Sequence, residues 1–155
     1  MTKRAVRVFL DSNVILSGLF SDRGAPRIIL DILSLNLSFI TGITGRYNIM
    51  EIERNLKAKL PAAVPVYKEY FAKLNLHIIP VPEMEEVKKY GGATAAKDVP
   101  VLVSAIKNKA DYLITGDKKD FGKLKGDYPF IITGPSDFLG NILPKILGGL
   151  EKTEQ

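Results

Sequence analysis

Residues 97–121 read KDVPVLVSAIKNKADYLITGDKKDF, and the order of patterns inside this stretch decides the fold. Asp98–Lys109 carries apolar residues at helical period, with Pro100 in the first turn, where its missing N–H costs nothing. Asp111–Thr115 follows as a short strand. Gly116 and Asp117 close that strand, and Asp120 stands three residues further on in a loop or short helix over Asp117–Leu124.

Outward from here the alternation repeats. Ala5–Leu10 reads as a buried strand, Asn13–Phe20 as one or two helical turns, and Arg27–Leu35 as a helix with Pro26 in its first turn. Leu37–Thr41 reads as a second strand. Arg46–Leu60 reads as a helix with Ile49, Ile52, Leu56 and Leu60 on one stripe, and Val66–Leu74 as another. His77–Val81 is a third strand, which Pro80 pushes toward a sheet edge or a strand end. Glu83–Tyr90 is a short helix, Phe130–Thr133 a last strand, Asp137–Leu143 a last helix and Gly148–Gln155 a polar, frayed tail. Strands alternating with helices imply a parallel sheet covered on both faces, a three-layer α/β/α sandwich of four or five strands. We expect one domain over residues 1–143 and a C-terminal extension over 144–155.

The 155 residues suit one domain with a real core. Lys and Arg outnumber Asp and Glu by 22 to 17, which favours a polyanionic partner such as nucleic acid without requiring one. There is no cysteine, and the one histidine, His77, lies in an apolar run, so disulfide frameworks and the usual zinc constellations are excluded. No apolar run approaches a membrane span and the N-terminus lacks a signal pattern, so cytoplasmic residence is the expectation.

The acids fall where chemistry is expected. Asp11 ends the apolar run Arg7–Leu10, Asp117 follows Tyr112–Thr115, Asp98 opens a helix and Glu51 sits inside one. In parallel α/β sheets ligands bind beyond the carboxyl ends of strands, where the strand order reverses, so Asp11 and Asp117 point to one site. Carboxylates gathered around one point repel unless a cation lies among them. An all-oxygen set of ligands suits a hard divalent ion, Mg²⁺ or Mn²⁺. Each acid also has a local role open to it. Asp11 and Asp98 can cap helices, Asp117 and Asp120 have the spacing of a capping pair, and Glu51 can pair with Arg54. Glu51 and Glu53 border the apolar stripe on opposite sides, so periodicity leaves the choice between them open.

Four stretches, VFLDSNVILSGLF (8–20), NIMEIERNL (48–56), the 97–121 stretch and FIITGPSDFL (130–139), resemble in order and spacing the PIN domain family of VapC-like metal-dependent ribonucleases. The likeness runs over roughly residues 5–143. It implies that Asp11, Glu51, Asp98 and Asp117 are the catalytic, metal-binding carboxylates, and it takes Glu51 over Glu53. Asp120 matches a further acid of the site, and Asn13 and Thr115 match polar residues that support it. Asp11 and Asp117 are expected to hold the main ion, while Asp98 and Glu51 complete its shell or hold a second ion. The resemblance also implies hydrolysis of RNA by in-line attack of water, leaving a 5′-phosphate and a 3′-hydroxyl. The chain departs from the family at Thr94–Lys97, where an acid often found near Asp98 is missing, which leaves the number of ions open.

Lys118, Lys119, Lys97, Arg46 and Arg54 are candidates to hold backbone phosphates, and Tyr47 either stacks a base or is a half-buried helix residue. Many relatives are toxins restrained by an antitoxin protein, so an antitoxin is an expected partner beside RNA. A homodimer through the apolar residues of Ile142–Leu150 is another. The competing reading is a nucleic-acid-binding module of the same fold with weak or no catalysis. A phosphotransfer domain is disfavoured because the strand Phe130–Thr133 ends in Thr-Gly-Pro, without the lysine such a site wants.

Overall fold

The computed structural model of the chain describes residues 4–117, 121 and 128–154. Its strands are β1 (Val6–Leu10), β2 (Ile40–Gly45), β3 (His77–Ile79), β4 (Tyr112–Ile114) and β5 (Ile131–Thr133). They form one sheet in the order β3-β2-β1-β4-β5, with every neighbouring pair parallel. The helices are α1 (Ser12–Phe20), α2 (Ala25–Ser34), α3 (Arg46–Lys59), α4 (Val64–Ala72), α5 (Met84–Lys89), α6 (Val99–Lys107) and α7 (Leu143–Glu154). A helical turn, Pro135–Asp137, and a π-helical turn, Phe138–Ile142, lead into α7. The chain lays β2 and β3 outward on one side of β1, then returns to place β4 and β5 on the other. The reversal lies between β1 and β4, and their carboxyl ends carry Asp11 and Asp117.

The sheet is buried on both faces, as an all-parallel sheet requires. Alternate residues of β1 serve the two cores. Val8 and Leu10 pack with Ile15, Leu30, Ile52 and Phe138 on one face, and Phe9 packs with Ile43, Leu102, Leu113 and Phe121 on the other. α6 is apolar nearly all round because Val101, Leu102, Val103 and Ala105 are all buried. Pro80 has the effect expected of it: β3 ends at Ile79 and is an edge strand.

β2 corrects the sequence reading. It runs Ile40–Gly45, not Leu37–Thr41. Two glycines weaken the local strand signal, but tertiary packing demands one of them. A Cβ on Gly42 would lie 2.6 Å from Leu76 Cδ2 and 2.9 Å from Leu33 Cδ1, so the side chains above the strand leave no room for one. At the C-terminus, helix α7 extends to Glu154, through the polar stretch expected to fray. Leu143 and Ile146, offered above to a dimer interface, pack on the chain's own core, while Leu147 is 42% exposed. Among the described residues no helix is long and apolar enough to cross a membrane.

Tyr67 gives a first prediction. Its ring is buried in the first core, and its hydroxyl has no hydrogen-bond partner among the described residues. Burial, and then the charge of Glu53, push it up from 10.0 to about 12, against the pull of Arg46. The folded chain therefore keeps a proton that the unfolded chain releases, and stability falls as pH rises through this window. Tyr67→Phe is expected to be neutral or stabilising at neutral pH, and to remove this part of the alkaline loss. Urea denaturation of both proteins from neutral to alkaline pH measures it.

Candidate metal centre

Asp11 is the residue on which the site is built. It leaves the central strand and caps α1: its Oδ1 accepts from Ser12 N at 2.8 Å, and its carbonyl accepts from Val14 N at 3.1 Å. The capping role open to it in the sequence is thus real, but it occupies only part of the carboxylate. Oδ1 also accepts from Asn48 Nδ2 at 3.1 Å, and Oδ2 accepts from Thr115 Oγ1 at 2.8 Å. The residue is only 6% exposed. Burial raises its pKa above the usual carboxylate range, the bonds from Thr115 and Ser12 pull it down, and the charges of Glu51 and Asp117 raise it again. Among the described residues no Lys or Arg is paired with it.

Thr115, the residue after β4, is fully buried and links three parts of the site. Its single hydroxyl donates to Asp11, and it accepts from Asp117 N at 3.0 Å and from Asn13 Nδ2 at 3.4 Å. That uses the one donor and both acceptor positions of a hydroxyl. Asn13 Oδ1 in turn accepts from Gly116 N at 2.8 Å. The turn carrying Asp117 is therefore tied to α1 by the two polar residues expected to support the site, and the Asp117 side chain is exposed to solvent.

The structure separates Glu51 from Glu53, which periodicity could not. Glu51 lies close enough to Asp11 and Tyr47 for its charge to raise both. Glu53 acts instead on Tyr67, across the helix, in a cleft that it shares with Arg46, Lys68, Phe71 and Ile78. Arg46 therefore lies on the Tyr67 side of α3. Glu51→Gln is expected to weaken Mn²⁺ binding and Glu53→Gln to leave it unchanged, as read by titration calorimetry.

Asp98 ends a 3₁₀ turn, Ala96–Asp98, and precedes α6, but its side chain does not cap that helix. Its segment is tied to α3 by the Tyr47 hydroxyl, which donates to Lys97 O at 3.1 Å. Asp98, Glu51, Lys97 and Arg54 all act on Tyr47 by charge, so these groups share one neighbourhood. Tyr47 is half-buried and anchors this contact. Asp120, Lys118 and Lys119 lie outside the described residues. Among the described residues no group of three acids is close enough to chelate one ion. The donor chemistry nonetheless fits a hard cation: among the described residues it is oxygen ligands only, around a buried carboxylate that no cationic side chain pairs with.

Sequence reasoning missed Asn48, Ser12 and Thr44. Asn48 and Thr44 are fully buried, and Thr44 Oγ1 donates to Leu10 O at 2.9 Å. For Asn48 a signal existed. It precedes Ile52 by one helical turn and so lies on the core stripe of α3, where a buried amide demands partners.

A family model described as a PIN domain matches residues 7–119. No curated protein matches the chain significantly. Among solved structures, VapBC2 from Rickettsia felis bound to a DNA fragment from its promoter superposes with a TM-score of 0.62 at 16% identity, covering 83% of this chain and 98% of that one. DNA-bound VapBC from Salmonella typhimurium gives 0.62 at 12%, covering 83% and 98%. PAE2754 from Pyrobaculum aerophilum gives 0.59 at 16%, covering 92% and 96%. At these identities the structural likeness is one of fold.

Proposed function

This chain belongs to the PIN domain family, and on that premise we propose that it is a metal-dependent endoribonuclease that hydrolyses RNA phosphodiester bonds and is the toxin of a toxin–antitoxin pair. The observation that carries this reading is the Asp11 carboxylate, buried at the strand-order reversal beside two further acids and without a cationic partner among the described residues. Asp11 and Asp117 would hold Mg²⁺ or Mn²⁺, with Glu51 and Asp98 completing the shell or holding a second ion, and Asp120 beside them. A divalent ion there neutralises the phosphodiester and lowers the pKa of the attacking water. The chain's own groups do the rest. Ser12, Asn48 and Thr115 fix the Asp11 carboxylate. Asn13 and Thr115 hold the Asp117 turn against it. Lys97, Lys118 and Lys119 would bind flanking phosphates of the RNA, whereas Arg46 lies on the Tyr67 side of α3. Two fold neighbours are VapBC complexes bound to DNA, which supports an antitoxin protein as partner here.

One observation favours a second reading, a nucleic-acid-binding module with weak or no catalysis: the described acids do not close around a single point. Incubation of the purified chain with single-stranded RNA and Mn²⁺, with and without excess EDTA, separates the two. Cleavage that EDTA abolishes and added Mn²⁺ restores is the expected result. RNA retention without cleavage at any Mn²⁺ concentration would establish the module instead.

A further inference from the structure

Asn48 is fully buried, and its amide is committed on one side only. Nδ2 donates to Asp11 Oδ1 at 3.1 Å and to Ser12 Oγ at 2.9 Å, which uses both hydrogens. Oδ1 is buried and accepts from none of the described residues. The reverse amide orientation would set its oxygen against a carboxylate oxygen, acceptor to acceptor, so the donors face Asp11. Leaving a buried carbonyl without a donor is unfavourable. The orientation therefore depends on what the Nδ2 side provides, together with room for the oxygen on the other side.

Gly45 provides that room. It is the last residue of β2, and a Cβ built on it would lie 2.8 Å from Asn48 Oδ1. Its φ of −90° is open to any residue, so backbone conformation does not call for glycine here; the amide does. Asn48 also lies three residues before Glu51 on α3, and positions three apart share a helix face. A bond from Asn48 to Asp11 thus sets the rotation of α3 that turns Glu51 toward the same carboxylate.

We propose that Asn48 is a positioning residue for the metal centre, which orients Asp11 and the Glu51 face of α3, and that Gly45 is its obligate companion because only glycine accommodates the amide oxygen. This rests on the reading of Asp11 as a metal ligand. Loss of an outer-shell partner typically costs about 10–100-fold in metal affinity.

Asn48→Leu, Asn48→Ala, Gly45→Ala and the Gly45→Ala/Asn48→Ala double variant test the pair by Mn²⁺ calorimetry below the melting temperature. The expected result is about tenfold weaker Mn²⁺ binding for Asn48→Leu in a folded protein. Gly45→Ala should weaken binding similarly in the wild-type background and add nothing to Asn48→Ala, which no longer carries the amide oxygen that the new Cβ would meet. Wild-type Mn²⁺ affinity in folded Asn48→Leu, or additive effects in the double variant, would overturn the proposal and leave Asn48 a merely structural residue. A second readout needs no metal. The Asn48 side-chain amide resonance of the metal-free protein should shift and lose exchange protection in Asp11→Ala, and an unmoved resonance would overturn the bond itself. Should Mn²⁺ fail to bind even the wild-type chain while that resonance responds, the metalloenzyme reading falls and the Asn48–Asp11 coupling stands.

Discussion

Asp11→Asn is expected to lower Mn²⁺-dependent RNA cleavage by more than about 100-fold, beyond the loss typical of an outer-shell partner, because the carboxylate is proposed as a direct ligand. The same variant is expected to melt, without metal, at or above the wild-type temperature. Burial is the leading cause that raises this group's pKa, so a neutral amide of the same shape is easier to bury than the carboxylate. Added metal reverses the order. At a Mn²⁺ concentration 100 times its Kd the wild-type chain gains about 2.7 kcal/mol. For a domain of this size that is a rise of several degrees, at roughly 2–4 °C per kcal/mol. The variant should gain little. A variant that loses activity by unfolding would instead melt lower under both conditions. One that still cleaves RNA at the wild-type rate would remove Asp11 from the chemistry. Thermal melts with and without Mn²⁺, beside a single-turnover cleavage assay, read all three quantities.

The parts of this fold that were legible in the sequence are those where one local signal dominates. The run Arg7–Leu10 could be read as a buried strand because successive residues serve opposite cores, and Asp11 could be read as its end. Pro80 marked the edge strand because a proline cannot donate to a ladder. β2 was misplaced because its own residues, ITGITG, argue weakly for a strand. The reason for Gly42 lies in Leu33 and Leu76, remote in sequence and close in space. The placement of Asp11 and Asp117 side by side was legible from position alone, since both follow strands that prove to be neighbours at the reversal. Glu51 against Glu53 was not. Only tertiary contacts, the packing of α3 on α1, α4 and α6 and the bond from Asn48 to Asp11, fix the rotation of the helix, and that rotation sends one acid toward Asp11 and the other toward Tyr67. Asn48 was overlooked for a related reason. A polar residue on an apolar stripe has meaning only once its partner is known, and that partner is Asp11, on another element.

Thr115→Val is expected to have the next largest effect, because one hydroxyl joins three groups from two ends of the site. Valine keeps the volume and the β-branched shape that the strand end packs around, so the fold should survive. What disappears is the donor to Asp11 Oδ2 at 2.8 Å and the acceptor for Asp117 N at 3.0 Å. Each buried group left without its partner costs about 1–3 kcal/mol. Against a total stability of about 5–15 kcal/mol for a typical domain, the variant is weakened but folded. The functional loss should exceed what lower stability explains. Asp11 loses the donor that most lowers its pKa, and the turn bearing Asp117 loses its tie to the central strand. About a 10–100-fold drop in cleavage at subsaturating Mn²⁺ is expected, partly recovered at high Mn²⁺. Thr115→Ser retains the hydroxyl and should recover cleavage even though the lost methyl leaves a small void in a buried position. The pair thus separates two roles for one side chain. If packing matters most, serine should be the worse substitute; if the hydroxyl is the link between the two acids, valine should be. Wild-type cleavage and Mn²⁺ dependence in the valine variant would show that Asp11 and Asp117 need no such link.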